Sequence, residues 1–273
     1  MSEYRDQMTR LSTNARNNST SLMRKYLNTW QLTSTDLDRN AEGIPMKVME
    51  IDPNLPAYVF DYTSDSTTKY KGSRVAVEFT KIVSRNLLIN ENVPRTQLGV
   101  VAESQWQELD QIENRVFCKT LNKVAQESDH GHVRKFGSVT LRTGIEEMLA
   151  KGLSTTAVIM PYSIYLSLLK EHKLVRLTDF TDEKAPEFIR KGIDLVPVPD
   201  KYLEGEEGSY FVHFLSSAST LGYLLMLQDR TSYLREVNGD GEVKHLESML
   251  YEMVGGYIQP GGVVSVLVDT GVK

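Results

Sequence analysis

The side chains equipped for chemistry are few and scattered. Asp129-His130-Gly131-His132 sets two imidazoles close together, as a metal or acid–base site requires, but such a site needs a third ligand that this stretch does not supply. Matches this short arise by chance, and the segment reads as a solvated loop at a helix exit. His172, His213 and His245 stand alone and read as packing or surface residues. Cys118 is the only cysteine, which excludes an internal disulfide framework and a multi-thiolate metal site. It lies beside an apolar stripe and reads as a small buried side chain rather than a nucleophile. Ser163 in MPYSIY lacks the flanking glycines of a nucleophile elbow. Gly255-Gly256 and Gly261-Gly262 sit among strand residues and read as bends or bulges, not as a phosphate-cradling loop. No catalytic residue, cofactor site or metal site is expected.

Composition points the same way. The chain has 273 residues, 40% hydrophobic and 25% charged, the balance of a folded soluble protein of one large domain or two modest ones. A net charge of −5 argues against a protein whose main task is gripping nucleic acid, since counterion displacement needs an excess of Lys and Arg. It suits enclosing nucleic acid without adhering to it. No stretch is apolar for long enough to span a bilayer, and the N-terminus lacks the apolar core of a secretory signal.

Periodicity supplies the elements. In the polar segment up to about Glu42, Leu22, Met23, Tyr26, Leu27 and Trp30 fall at helical spacing and predict one short amphipathic helix in an extended arm. Residues 46–101 read as β: MKVMEI and AYVFDY carry strand residues, and RVAVEFTKIV alternates, with Val75, Val77 and Phe79 on one side. The polar DSTTKYKGS between them makes a tip, so a projecting two-stranded hairpin is expected. SQWQELDQIENRVFCKTLNKVAQ then places Trp106, Leu109, Phe117 and Leu121 on one stripe of a long helix, with Ser104 and Gln107 as its capping box. Gln107, Glu113 and Lys119 are expected on its exposed side. An α/β stretch follows. SVTLRTGIEEMLAKG is a helix, TTAVIM a buried strand, PYSIYLSLLKEHK a second helix, IDLVPVPD an edge strand by its prolines, and SYFVHFLSS another strand. The C-terminal part is extended, with Asn238-Gly239-Asp240-Gly241 as a hairpin turn and GGVVSVLVDT as a last, nearly all-apolar strand.

This order of arm, long hairpin, long helix, small α/β unit and closing strands resembles the tailed-phage major capsid protein, the Hong Kong 97-type α+β fold shared with encapsulin shells. The resemblance is carried by TTAVIMPYSIYLSLLKEHK, by GIDLVPVPDKYLEGEEGSYFVHF, and by the passage from Leu221 to Val268 with Pro260 before the final strand. It implies an N-terminal arm over 1–45 and a peripheral domain over 46–137, holding an extended loop (about 61–93) and a spine helix (about 103–127). An axial domain would cover 138–219, and strands over 220–273 would return to the peripheral domain. Barely forty polar residues precede the first strand, so the resemblance implies a separate scaffold protein or none.

The function implied is that of a structural subunit, not an enzyme. It would self-assemble into homo-pentamers and homo-hexamers of an icosahedral virus shell around DNA, located in the virion and, during assembly, in the host cytoplasm. Scaffold, portal or decoration proteins would be its further partners, with no membrane and no sequence-specific nucleic-acid contact. Tyr62, Lys69, Tyr70, Lys71 and Arg74 of the loop would touch neighbouring subunits. Some family members join a loop lysine to a neighbour's asparagine, for which Lys69, Lys71 and Lys81 are the regional candidates. An encapsulin enclosing enzyme cargo is the alternative, set second because the polar arm does not resemble the cargo-receiving N-terminal helix of that family. A small α/β enzyme or ligand-binding protein is the third reading, weakened by the missing site.

Overall fold

The computed structural model describes residues 2–16, 19–62, 68–90, 92–172, 192–206, 208–238 and 244–269. The chain opens with helix α1 (Ser2–Arg16) and the short helix α2 (Leu22–Tyr26), followed by strand β1 (Asn28–Gln31). The arm thus differs from the sequence expectation. Its short helix is present, but a longer one precedes it, and Trp30 lies on β1, where the residue is 44% exposed. Helix α1 is mostly polar, yet Met8 is fully buried against Ile89, Leu98, Ala102 and Leu246. That one anchor, with Tyr4 and Leu11 beside it, is enough to dock the helix when tertiary packing stabilises it.

The next strands are β2 (Asp38–Arg39), β3 (Pro45–Glu50), β4 (Ala57–Val59), β5 (Thr68–Tyr70), β6 (Arg74–Glu78), β7 (Thr80–Val83) and β8 (Leu87–Asn90). They do not make the free two-stranded hairpin expected over 61–93. Strand β6 pairs with β3 in a three-stranded sheet with β2, and β5 pairs with β4. The alternation is real: Val75, Val77 and Phe79 are buried, packing with Ala57, Val59, Leu225 and Tyr257.

The long strands are β13 (Gly222–Asn238) and β14 (Lys244–Ile258), paired antiparallel, with the intervening residues 239–241 of the expected turn outside the described residues. Strand β14 carries β8, β7 and β4 in succession along its other edge. So residues 80–90 are sheet strands whose partners lie far along the chain. Gly255 and Gly256 are not bulges, since they hold register opposite Leu225 and Leu224. They are there for space. A Cβ at Gly255 would stand 2.5 Å from the Glu78 carbonyl oxygen, and one at Gly256 would stand 2.8 Å from the Phe60 ring. Bulges occur instead on β13, between Met226 and Gln228 and between Gln228 and Thr231.

Helix α3 (Leu98–Gln126) crosses beneath this sheet. It begins six residues before the expected capping box, so Ser104 is an exposed residue inside the helix. Its buried stripe includes Trp106, Leu109, Phe117, Leu121 and Cys118, which pack with Tyr58, Phe60, Leu224, Leu250 and Val254.

The α/β unit comprises β9 (Gly131–Val133), α4 (Ser138–Ala150), β10 (Ala157–Pro161), α5 (Tyr162–Glu171), β11 (Asp194–Val198), β12 (Ser209–Leu215) and β15 (Val263–Asp269). Its sheet runs β11-β10-β12-β15-β9, with the proline-bearing β11 at one edge. The last strand therefore does not return to the long sheet; seven residues of β15 pair with β12. Its side chains are buried on both faces apart from half-buried Asp269, which suits a central strand and not an edge. Helix α4 approaches β12 closely at Gly144, where a Cβ would stand 2.2 Å from the Phe214 ring. Ile159, Leu215 and Val263 join the same apolar cluster as α3, so the helix packs against both sheets.

Candidate functional site

The histidine pair does not converge. His130 Nδ1 lies 3.0 Å from the Ala125 carbonyl oxygen, a helix-end contact, and His132 Nε2 lies 2.7 Å from Asp269 across the β9–β15 pairing. Among the described residues no group of His, Cys, Asp and Glu has metal-site geometry. Cys118 is fully buried and burial pushes its thiol up to about 12, so it stays protonated. Ser163 is exposed at the start of α5, its amide donating to Asp200. A serine–histidine contact the sequence did not signal joins Ser138 Oγ to His172 Nε2 at 2.9 Å. The same hydroxyl donates to Glu171 at 2.7 Å, so His172 must donate to it. The nitrogen that donates to this hydroxyl cannot take its proton. Glu171 also accepts the Ser138 amide, so this is a cap on α4.

The loop residues divide. Tyr62 is half-buried against the main core, its hydroxyl 3.4 Å from the Met23 sulfur. Lys69 Nζ is 2.6 Å from Glu127 and stands over the Tyr58 ring. Hydrogen bonds to Glu127 and Tyr58 raise its pKa, which keeps an ammonium where an amide-forming reaction needs an amine. Both residues thus have partners inside their own subunit. Tyr70 packs partly into the core, Lys81 lies over Tyr251, and Lys71 and Arg74 are exposed.

What the side chains do build is a buried charge cluster. On the stripe of α3, Asp110 and Glu113 lie among Trp106, Leu109 and Phe117, and both are buried, against the expectation that Glu113 faces solvent. The β13 bulges turn Asp229 and Arg230 inward, as bulges re-aim side chains. Arg230, fully buried, donates to Asp110 at 2.6 Å, Glu113 at 2.8 Å and Glu252 at 3.2 Å, and lies 5.1 Å from the Trp106 ring centre. From α2, Arg24 reaches Glu113 at 3.2 Å, Asp229 at 2.8 Å and also Glu252. Asp110 accepts the Thr20 amide at 2.7 Å and the Ser19 hydroxyl at 2.8 Å, and Asn114 accepts the Leu22 amide. Arm, long helix and long hairpin are clamped at one point.

Two guanidinium groups here face four carboxylates, and the imbalance sets the protonation. Burial, and then Glu113 nearby, push Glu252 up to about 8 against the pull of Arg230 and Arg24. Its Oε1 is buried with no hydrogen-bond partner among the described residues. Burial acts to raise Asp110 as well, but Arg230, the Thr20 amide and Ser19 together hold it below the usual carboxylate range. Arg24 is pulled down by burial, yet Glu113, Glu252 and Asp229 leave it bound to its proton more firmly than usual. A second buried node joins α3 to the α/β sheet. His213 Nε2 is 2.9 Å from Asn122 Oδ1 and its Nδ1 is 2.8 Å from the Ser265 hydroxyl. Burial lowers His213 to about 3, so it is neutral.

An arm folded over a spine helix, a long antiparallel hairpin sheet and an α/β unit closed by the last strand make this the Hong Kong 97-type fold, the fold of icosahedral shell proteins. The solved structures it resembles include shells and viruses. Mycobacterium phage Adephagia is matched with a TM-score of 0.57 at 11% identity, over 93% of this chain and 91% of that one. The holo-SrpI encapsulin complex of Synechococcus elongatus is matched at 0.52 and 9%, over 94% and 90%. The virus-like particle from Pyrococcus furiosus is matched at 0.50 and 12%, over 96% and 98%. The likeness at these identities is one of fold. No protein-family model matches the sequence, and no curated protein matches it significantly.

Proposed function

We propose that this chain is a structural shell subunit, not an enzyme, which self-assembles into homo-pentamers and homo-hexamers of an icosahedral virus capsid around DNA. The fold, matched over nearly its whole length by shell and virus structures, is the observation that carries the reading. The surface supports it. The α/β unit leaves Val139, Leu149, Tyr162 and Leu166 exposed on α4 and α5, apolar area that a ring of copies would cover. Lys71, and Arg74 in an exposed pair with Glu50 at 3.6 Å, are the loop residues best placed to reach a neighbour, and Trp106, Leu109, Phe117 and Leu121 the core that keeps each subunit rigid. Many weak contacts closing a lattice together make the assembly stable.

Helix α1 favours a second reading. The sequence argument against an encapsulin rested on an arm without the N-terminal helix of that family, and residues Ser2–Arg16 form a helix docked beside α3. Sedimentation and negative-stain microscopy of the purified chain should show closed particles or ring-shaped capsomers. A concentration-independent monomer would remove both readings. Nuclease-protected nucleic acid inside the particles is the capsid outcome, and a co-purifying enzyme inside them is the encapsulin outcome.

A further inference from the structure

In the α/β sheet, strands β9, β10, β11 and β15 all run the same way, with β12 antiparallel among them. Four carboxyl ends therefore open at one end of the sheet, the place where sheets of this kind hold ligands. What leaves those ends encloses a cavity of about 800 Å³, within the usual range for a ligand site. Residues 134–136 follow β9, the first turns of α5 follow β10, Asp200 follows β11, and Asp269 closes β15. The segment entering β12 supplies the remaining wall. Phe136 and Val268, both buried, and half-buried Ile164 and Tyr210 give the cavity its apolar lining.

The charged residues around it differ in what they already hold. Asp200 accepts the Ser163 amide at 3.2 Å, and Asp269 is paired with His132 at 2.7 Å. Glu204 and Glu206 on one side, and Arg134 and Lys135 on the other, have exposed side chains with no hydrogen-bond or ion-pair partner among the described residues. Lys135 acts only at longer range on Glu171, whose carboxyl it helps to lower. The two pairs face each other across β15, which lies between β12 and β9. Register sets them level, with Ser209 opposite Asp269 and Val133 opposite Val268.

We propose that this cavity binds a short peptide whose opposite charges stand about 10 Å apart with apolar side chains between them. The span follows from the sheet, since two strand spacings of about 4.8 Å separate β12 from β9. A free amino acid is too short to bridge that distance. Three extended residues, at about 3.4 Å each, match it. The ammonium end goes to Glu204 and Glu206, the carboxylate end to Arg134 and Lys135, and the side chains to the apolar lining. This goes beyond the shell reading and does not depend on what a shell encloses.

Isothermal titration of trileucine into the purified full-length chain tests this. Wild type should give saturable heat with a Kd of about 1 mM or below. Acetylating the peptide's amine, or amidating its carboxylate, should weaken binding by up to about fivefold, the worth of an exposed charge pair. Glu204→Gln with Glu206→Gln should weaken trileucine similarly, yet bind the acetylated peptide as wild type does. Arg134→Gln with Lys135→Gln should behave likewise toward the amidated peptide. Should either double variant fail to fold, Glu206→Gln or Arg134→Gln alone should show the same selectivity. Arg235→Gln, on the long hairpin, should change nothing. Absence of saturable heat, or cavity variants that bind trileucine as wild type does, overturns the proposal. So does a variant that loses capped and uncapped peptides equally. Particles that form without peptide binding would sink the cavity and spare the shell, whereas binding by a chain that never forms particles would do the reverse.

Discussion

The buried cluster gives a prediction in which two substitutions in one site diverge. Arg230→Met removes the guanidinium that meets Asp110, Glu113 and Glu252, all buried. Stranding buried carboxylates costs about 3–5 kcal/mol, a large share of a domain's total stability. Glu252→Gln removes a carboxyl already biased toward its neutral form, and the amide has nearly the same shape, so the loss should stay below about 1 kcal/mol. The two also differ in pH dependence. Glu252 is raised from 4.5 to about 8, so the folded chain holds this proton more tightly than the unfolded one. The stability so gained is complete below pH 4.5 and is lost as the pH rises through about 8. At about 1.4 kcal/mol per pH unit, wild type should lose roughly 2–3 kcal/mol over two units within that window. Glu252→Gln should not show that loss. Urea melts of dissociated subunits at pH 6 and pH 8 measure both effects. An equal loss in the two variants, with the wild-type pH slope kept by Glu252→Gln, would mean that Glu252 is ionised and that burial does not hold its proton.

His213 predicts acid sensitivity of opposite sign. Lowered from 6.5 to about 3, it stabilises the fold fully above pH 6.5 and progressively less as the pH falls toward 3. About 2 kcal/mol should be lost by pH 5, and thermal melts of His213→Gln at pH 7 and pH 5 should lack that component. In the long helix, Phe117→Ala should cost about 3–5 kcal/mol in a denaturant melt, and exposed Gln107→Ala less than about 0.5.

Local pattern carried much of the fold. Alternation placed Val75, Val77 and Phe79 inward, and helical spacing placed Trp106, Leu109, Phe117 and Leu121 on one stripe, as the structure has them. Pairing over long separations was not legible. Residues 80–90 looked like an outlying hairpin because their partner, β14, lies more than 150 residues on. The placement of β15 did have a signal: a strand apolar at nearly every position is buried on both faces, which suits the α/β sheet. The charge cluster was half visible. Asp110 and Glu113 interrupt the apolar stripe, and Glu252 shares the inward phase of Leu250 and Val254 on β14. Arg24 and Arg230 could be joined to them only in three dimensions, the latter through bulges that no local pattern announced.

The closing strand has a consequence for biosynthesis. β15 is inserted between β12 and β9, and β1 waits for β13, about 195 residues later. Neither large sheet can be completed before β13, β14 and β15 have been made, long after the strands they pair with. Such non-local pairing gives a high contact order and slow folding. A newly made chain therefore passes through a period with open sheet edges, in which its α4 and α5 surfaces are not yet backed by a finished sheet. Under the proposed function, copies would join a lattice only once β15 is in place, so topology alone would keep chains with an unfinished sheet out of the assembly.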